Sequence, residues 1–367
     1  MSEKPIEIIF NGRFLTQEIT GVQRYAHELL WALDEILPTR NDIKLTVVAP
    51  KLSKAPPALK NIPILQSGMT SGHAWEQLEL PLIARGKLLF CPGNTAPAIS
   101  LLTGQKVVVC VHDLSYLYFP AAYSSAFKLL YGTIVPMIFR RASGVITVSE
   151  SERGSILERY PFVAPRLTAI QNGGLMDKRI PKTFNSSREG GYVLYVGSLS
   201  KRKNFPAMFD VACRLAREKG YRFTFVGGTA GGLISSQYLV PSDLTTHITF
   251  AGQVNDTGEL IKFYEGAQLM MFPSLYEASP LPPVEAMACG CPVLASTIPS
   301  LQERCGDAAI YCDPHSVDDI CNKVQQVLGD RDLQSKLCQK GVERASLFNW
   351  KSCANKTLDV ITNAYAR

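Results

Sequence analysis

The sequence predicts an α/β protein of two doubly wound domains, each a parallel sheet flanked by helices. Three observations predict it. The chain has 367 residues, beyond the usual size of one domain. Apolar strand-like runs alternate with helix-like periodicity, and they do so in two successive sets. A polar stretch, MDKRIPKTFNSSREGG over 176–191, stands between the sets. The expected division is a first domain over 1–175, a linker over 176–191, a second domain over 192–348, and a terminal helix over 349–367.

Taken in order, IEIIF (6–10) reads as the opening strand. A helix follows, with Val22, Tyr25, Ala26, Leu29 and Leu33 on one face. Thr20 and Gln23 before it have capping-box spacing. KLTVVA (44–49), KLLFC (87–91), KVVVCV (106–111), GVITV (144–148) and LTAI (167–170) supply further strands. Ser149 and Glu152 repeat the capping signature after GVITV. The aromatic stretch YLYFPAAYSSAFKLLYGTIVPMIFRR (116–141) has two readings: a membrane-surface element, or a buried helix pair.

The second set opens with YVLYV (192–196) and a helix expected to begin at Asn204 as N-cap, with Pro206 in its first turn. FTFVGG, HITFAG, AQLMMF, CPVLA and AAIYC supply the remaining strands. The last segment, FNWKSCANKTLDVITNAYA, reads as a helix capped by Asn349.

Composition narrows the class. The chain is 46% apolar and 19% charged, as expected of a soluble protein with sizeable cores. It has no long uncharged apolar run, so no transmembrane helix is expected. MSEKPIEIIF carries charge where a signal peptide needs an apolar stretch, which points to the cytoplasm. There are ten cysteines and no C-x-x-C. Cys91, Cys110, Cys213 and Cys312 lie in apolar runs, and Cys289 and Cys291 flank a glycine in poor spacing for zinc. Reduced, mostly buried thiols and no metal site are expected.

Residues 1–180 hold 19 Lys and Arg against 14 Asp and Glu, so most of the net +6 charge sits in the first half. That bias suits a phosphorylated acceptor or an anionic membrane face; a solvated surface is the simpler explanation. No basic block is interleaved with aromatics, so no nucleic-acid partner is expected.

In an open α/β sheet, ligands collect beyond the carboxyl ends of the strands, and with two such sheets the natural site is the cleft between them. Three strand ends carry chemistry. After AQLMMF comes SLYEASPLPPVEAMACGCPVLA (274–295), with Glu277 in a loop and Glu285 expected in the first turn of a short helix. A carboxylate accepts two hydroxyl hydrogen bonds, which suits a ribose or sugar diol; a helix dipole would also favour Glu285 there.

After YVLYV comes VGSLSKRKN (196–204), where Gly197 ends a strand and Arg202 and Lys203 precede a helix. Two cations at a helix N-terminus suit a diphosphate; a basic surface loop is the plainer alternative. After KVVVCV comes His112-Asp113, catalytic or structural. Gly21 opens the first helix and would allow close backbone approach to a phosphate. His73, with Trp75 and Glu76 in GHAWEQLELP, reads as packing or as an acceptor-side helper.

The SLYE…LPPVEAMACGCPV segment with VGSLSKRKN resembles the donor-binding half of retaining family 4 glycosyltransferases. NGRFL and TGVQRYAHELL are similar to the start of bacterial polysaccharide enzymes, including mannosyl- and rhamnosyltransferases. The resemblance covers essentially the whole chain. It implies the GT-B fold, two Rossmann-like domains facing across a cleft, with the terminal helix crossing back to the first. It implies hexosyl transfer from a nucleotide diphosphate sugar, such as GDP-mannose or a UDP-sugar, with mannose favoured.

The implied acceptor is a glycan or lipid-linked oligosaccharide in cell-surface polysaccharide (lipopolysaccharide) synthesis, with peripheral contact at the inner membrane. No cofactor is expected, and metal independence follows from the lack of a DxD-like site. By position, Glu277 would contact the donor sugar, Glu285 the ribose, Arg202 and Lys203 the pyrophosphate, Val254 the base, and His112 the reacting centre with Asp113 as helper. Gly21, Gly197, Ser279, Pro280 and Leu281 would line the donor.

The chain departs from the family at Ala278, Ser279 and Pro280, which stand where glycine, an aromatic and glycine are usual. Two other classes fit the residues: a GT-B epimerase or hydrolase, which would need an acid/base pair, and a non-catalytic sugar-nucleotide binder.

Overall fold

The structure, a computed structural model, describes residues 4–53, 55–175, 190–228 and 238–367. The chain divides into two units, one of Met1–Gly173 with Asn349–Arg367 and one of Gly174–Phe348. Residues 176–189, most of the expected linker, lie outside the described residues.

The first unit carries strands β1 (Ile6–Asn11), β2 (Ile43–Ala49), β3 (Ile64–Gln66), β4 (Leu88–Cys91), β5 (Val107–Cys110), β6 (Gly144–Thr147) and β7 (Leu167–Ala169). They form a seven-stranded sheet in the order β3-β2-β1-β4-β5-β6-β7, with every neighbouring pair parallel. β4, β5 and β6 are buried at every position, because helices cover both faces of the sheet. Hence β4 and β5 are continuous apolar runs, and β6 departs from one at Thr147, its last residue.

The helix Gly21–Ile36 buries Tyr25, Ala26, Leu29 and Leu33 of the expected stripe, adds Leu30, and leaves Val22 half-buried. At its start the Gln23 side chain accepts the Thr20 N–H at 3.3 Å. The helix Glu150–Arg159 is capped by Ser149, whose Oγ accepts the Glu152 N–H at 3.1 Å.

The helix Trp350–Ala366 is capped by Asn349, whose Oδ1 accepts the Ser352 N–H at 3.1 Å. It packs in the first unit. A β-carbon at Gly144 would lie 3.3 Å from Val360, and one at Gly173 would lie 2.3 Å from the Trp350 ring. The stretch 116–141 is only partly a buried helix. In Ser125–Arg141 the second half buries Ile134, Val135, Ile138 and Phe139, while Leu129 stays 75% exposed. No helix among the described residues is long and apolar enough to cross a membrane.

The second unit carries β8 (Tyr192–Val196), β9 (Phe223–Val226), β10 (Ile248–Gly252), β11 (Ala267–Phe272), β12 (Val293–Ser296) and β13 (Ala309–Cys312). They form a six-stranded parallel sheet in the order β10-β9-β8-β11-β12-β13. Its core includes Tyr195, Phe205, Phe225, Leu269, Phe272 and Val284.

Both sheets begin in the middle. The strand order reverses between β1 and β4 in one unit and between β8 and β11 in the other. The loops leaving those paired strands run to opposite faces, which opens a crevice at the carboxyl edge. The ten cysteines are thiols and not disulfides, and burial pushes those of Cys305 and Cys312 up to about 12, which keeps them protonated and unreactive.

Candidate functional site

In the second unit the loops after β8 and β11 leave from opposite sides of the reversal point. The first begins at Gly197, whose φ of +148° excludes most side chains. Its neighbour Gly227, at the end of β9, has φ +142°, and a β-carbon there would lie 1.9 Å from the Gly197 carbonyl oxygen. Two glycines are therefore needed for these backbones to pass. The chain then turns through 201–204, with the Lys203 N–H donating to Ser200 O at 3.1 Å and the Asn204 N–H to Lys201 O at 2.9 Å.

Asn204 corrects one expectation. It precedes the helix Phe205–Lys219, but its side chain does not cap that helix. It sits at φ +62°, and its amide donates to Pro273 O at 3.0 Å and Pro314 O at 2.6 Å. Asparagine tolerates the left-handed region, and its buried side chain ties three loops together.

That tie brings Arg202 and Lys203 to Glu277. The Leu275 N–H donates to Arg202 O at 3.0 Å, and Arg202 Nη1 donates to Tyr276 O at 3.2 Å. Lys203 Nζ hydrogen-bonds Glu277 Oε1, Arg202 Nη1 lies 3.9 Å from Glu277 Oε2, and Nζ also lies 5.5 Å from the centroid of the Phe272 ring. The Glu277 side chain is only 7% exposed, so water screens this pairing weakly. Nearby, burial pushes the Tyr195 phenol well up, and the Glu277 charge adds to the effect.

Glu285 corrects a second expectation. The helix spans Leu281–Ala288, so Glu285 is its fifth residue, past the first turn, and the helix dipole is not its reason. It is 1% exposed, and the Tyr264 hydroxyl donates to Oε2 at 2.8 Å. Pro280 stands just before that helix at φ −68°, Leu281 is buried as its first residue, and the Ser279 hydroxyl is buried without a hydrogen-bond partner among the described residues. Val254 lies half-buried in the loop after β10.

In the first unit, His112 follows β5. Its N–H donates to Asn94 Oδ1 at 2.6 Å, and Nε2 lies 2.8 Å from Pro92 O. A carbonyl only accepts, so Nε2 carries the proton and Nδ1 the lone pair. Burial lowers the pKa from 6.5 and keeps the ring neutral. Asp113 is engaged locally: Oδ1 accepts from Ser115 N at 3.0 Å and Ser115 Oγ at 2.6 Å. Gly21 is exposed at its helix start, and a β-carbon there would meet nothing within 4 Å. Packing therefore does not require glycine at that position.

Sequence reasoning missed a buried polar network at the β1–β4 reversal point. Glu76 accepts from Asn11 Nδ2 at 2.7 Å, Arg13 Nε at 3.2 Å and Thr95 Oγ1 at 2.8 Å. His73 Nδ1 lies 3.3 Å from Glu76, and its Nε2 lies 3.5 Å from Arg13 Nη1. Burial would push the Glu76 carboxyl up, but the His73 hydrogen bond and the Arg13 charge outweigh it and hold it below 4.5. His73 thus belongs to an ion network, while Trp75 is core, with Nε1 donating to Ser67 O at 2.7 Å. Arg13 lies in the NGRFL segment but was given no role there, and Thr95 gave no periodic or motif signal. Among the described residues no group of three His, Cys, Asp or Glu side chains is placed to hold a metal ion.

Comparison with known proteins places both halves. Residues 19–173 match the model described as Glycosyltransferase Family 4, and residues 177–344 match that of Glycosyl transferases group 1. The O-antigen chain mannosyltransferase RfbU of Salmonella typhimurium is 27% identical over 319 residues, 84% of this chain and 87% of that one. The O-antigen chain mannosyltransferase B of Escherichia coli is 27% identical over 274 residues, 71% of this chain and 70% of that one.

Among solved structures, WaaG, a glycosyltransferase involved in lipopolysaccharide biosynthesis, aligns with a TM-score of 0.69 at 16% identity over 97% of this chain and all of that one. Anabaena Alr3699/HepE in complex with UDP aligns at 0.70 and 17% identity over 97% of this chain and 99% of that one. These likenesses show the fold: two parallel-sheet Rossmann-like domains of the GT-B class.

Proposed function

This chain belongs to the glycosyltransferases that join a family 4 domain to a group 1 domain, and we propose that it moves a hexosyl group from a nucleoside diphosphate sugar to a hydroxyl of a glycan or lipid-linked oligosaccharide. The observation that carries the proposal is the convergence of Arg202, Lys203 and Glu277 beyond β8 and β11, in the same unit as the oriented carboxylate of Glu285. Mannose is the favoured sugar and cell-surface polysaccharide the favoured product, on the names of the O-antigen relatives.

In this reading Glu285 accepts the ribose hydroxyls, Glu277 accepts hydroxyls of the donor sugar, and Arg202 and Lys203 hold the diphosphate. Val254 borders the base, and Gly197, Ser279, Pro280 and Leu281 line the donor. The acceptor oxygen bonds to the anomeric carbon, and the bond from that carbon to the phosphate oxygen breaks with its electron pair going to the diphosphate. The acceptor proton ends on that phosphate oxygen. Charge grows on the diphosphate as the bond breaks, so a fixed cation such as Lys203 lowers the barrier most at that stage.

Attack on the face the diphosphate leaves would retain anomeric configuration. His112 presents a neutral ring whose Nδ1 can accept a hydrogen bond, and we assign it to positioning at the reacting centre. No metal ion is assigned a part.

The test combines two variants and the product's stereochemistry. Glu285→Ala is expected to weaken donor binding tenfold or more. Lys203→Ala is expected chiefly to lower turnover, by about a hundredfold. NMR of the product from GDP-mannose and a lipid-linked acceptor extract should show the donor's anomeric configuration. Wild-type activity in both variants would refute the site, and inverted configuration would refute the mechanism.

A further inference from the structure

One carboxylate faces both cations assigned to the diphosphate. Glu277 Oε1 is hydrogen-bonded to Lys203 Nζ, and Oε2 lies 3.9 Å from Arg202 Nη1, with the side chain 7% exposed. We propose that Glu277 sets the preference of this site for an intact nucleotide sugar over the free nucleoside diphosphate, and so speeds release of the product. The inference rests on the donor-site reading above.

The physical argument is a difference in charge at one position. In a nucleotide sugar the terminal phosphate is a diester-like monoanion, and the group beyond it is a sugar whose hydroxyls donate to a carboxylate. After transfer the terminal phosphate is a monoester with a second ionisation near pH 6, so at neutral pH it gains negative charge where the sugar had been. The same Glu277 that accepts sugar hydroxyls then opposes a second anion, and because its side chain is only 7% exposed the opposition is weakly screened. It also holds part of the charge of Lys203 and Arg202, which weakens their pull on the product. Attraction to the donor and repulsion of the product come from one side chain.

The experiment is calorimetric titration of GDP and of UDP into the wild-type protein and its Glu277→Gln, Glu277→Asp and Glu285→Ala variants. Glutamine keeps the shape and removes the charge, so Glu277→Gln is expected to bind the free diphosphate about tenfold tighter than wild type. Aspartate keeps the charge, so Glu277→Asp is expected to bind it as wild type does. Far-UV spectra and unfolding midpoints check that each variant is folded. If Glu277→Gln binds the diphosphate no tighter, or Glu277→Asp binds it tenfold tighter, the inference is overturned.

Glu285→Ala separates this failure from failure of the underlying reading. If wild type binds a diphosphate and Glu285→Ala loses it, the nucleotide site stands whatever the Glu277 variants do. If no protein binds either diphosphate, both fall.

Discussion

One contact that orients Glu285 comes from a residue 21 positions away. Tyr264, fully buried on the helix Thr257–Gly266, donates its hydroxyl to Oε2 at 2.8 Å. That hydrogen bond helps fix the direction of a buried carboxylate for the hydroxyls it is to accept. Tyr264→Phe removes only that oxygen. It is expected to cost about 1 kcal/mol of stability, as for one lost hydrogen bond, and to weaken nucleotide-sugar binding about three- to tenfold. Unchanged affinity with lowered stability would make Tyr264 purely structural.

His112 makes a prediction at the same scale. Burial lowers its pKa below 6.5, and burial does the same to His27. The unfolded chain therefore takes up protons first as the pH falls through about 6.5, while the folded chain does not. The stability from these neutral rings is fully present above that pH and is lost as the pH falls toward the lowered folded values. The unfolding midpoint should drop between pH 7 and 5.5, and His112→Gln should flatten the drop. A flat wild-type profile would contradict the assignment. Glu76 acts in a separate window: its carboxyl is held below 4.5, so its contribution is present above 4.5 and is lost as the pH falls through the folded value.

Two elements depend on single residues for their placement. The helix Trp350–Ala366 rests its first ring on Gly173, where a β-carbon would lie 2.3 Å from the indole. Gly173→Ala should destabilise the protein by about 1–3 kcal/mol through overpacking, measured by denaturant unfolding. A variant as stable as wild type would show that the helix end is loosely seated.

The turn after β8 depends on Asn204. Asn204→Gly keeps the left-handed backbone but loses the hydrogen bonds to Pro273 O and Pro314 O, and should cost about 2 kcal/mol. Asn204→Ala should cost about 1 kcal/mol more, since alanine resists positive φ. Equal losses in the two variants would mean that the backbone there is not strained.

At the scale of the whole chain, the alternation of apolar runs and helical stripes was enough to name two doubly wound sheets, because parallel strands covered on both faces are largely apolar. Glu277, Glu285, Arg202 and Lys203 were legible because they sit at strand ends in recognisable segments. Their pairing was not, since it depends on the strand order placing β8 beside β11. Asn204 was misjudged because asparagine serves equally as an N-cap and as a left-handed turn residue, and the carbonyls that decide between them, Pro273 and Pro314, are remote in sequence. The network of Arg13, Thr95 and Glu76 escaped for the same reason: it joins residues up to 82 positions apart with no repeating pattern.

The central claim is that the second unit binds a nucleoside diphosphate sugar through Lys203, Glu277 and Glu285. Its most direct test is calorimetric titration of GDP-mannose, UDP-glucose, UDP-N-acetylglucosamine and dTDP-rhamnose into the purified protein and its Glu285→Ala variant. The account predicts selective binding of one donor, weakened at least tenfold by the substitution. Failure of all four to bind, or equal binding by both proteins, would contradict it.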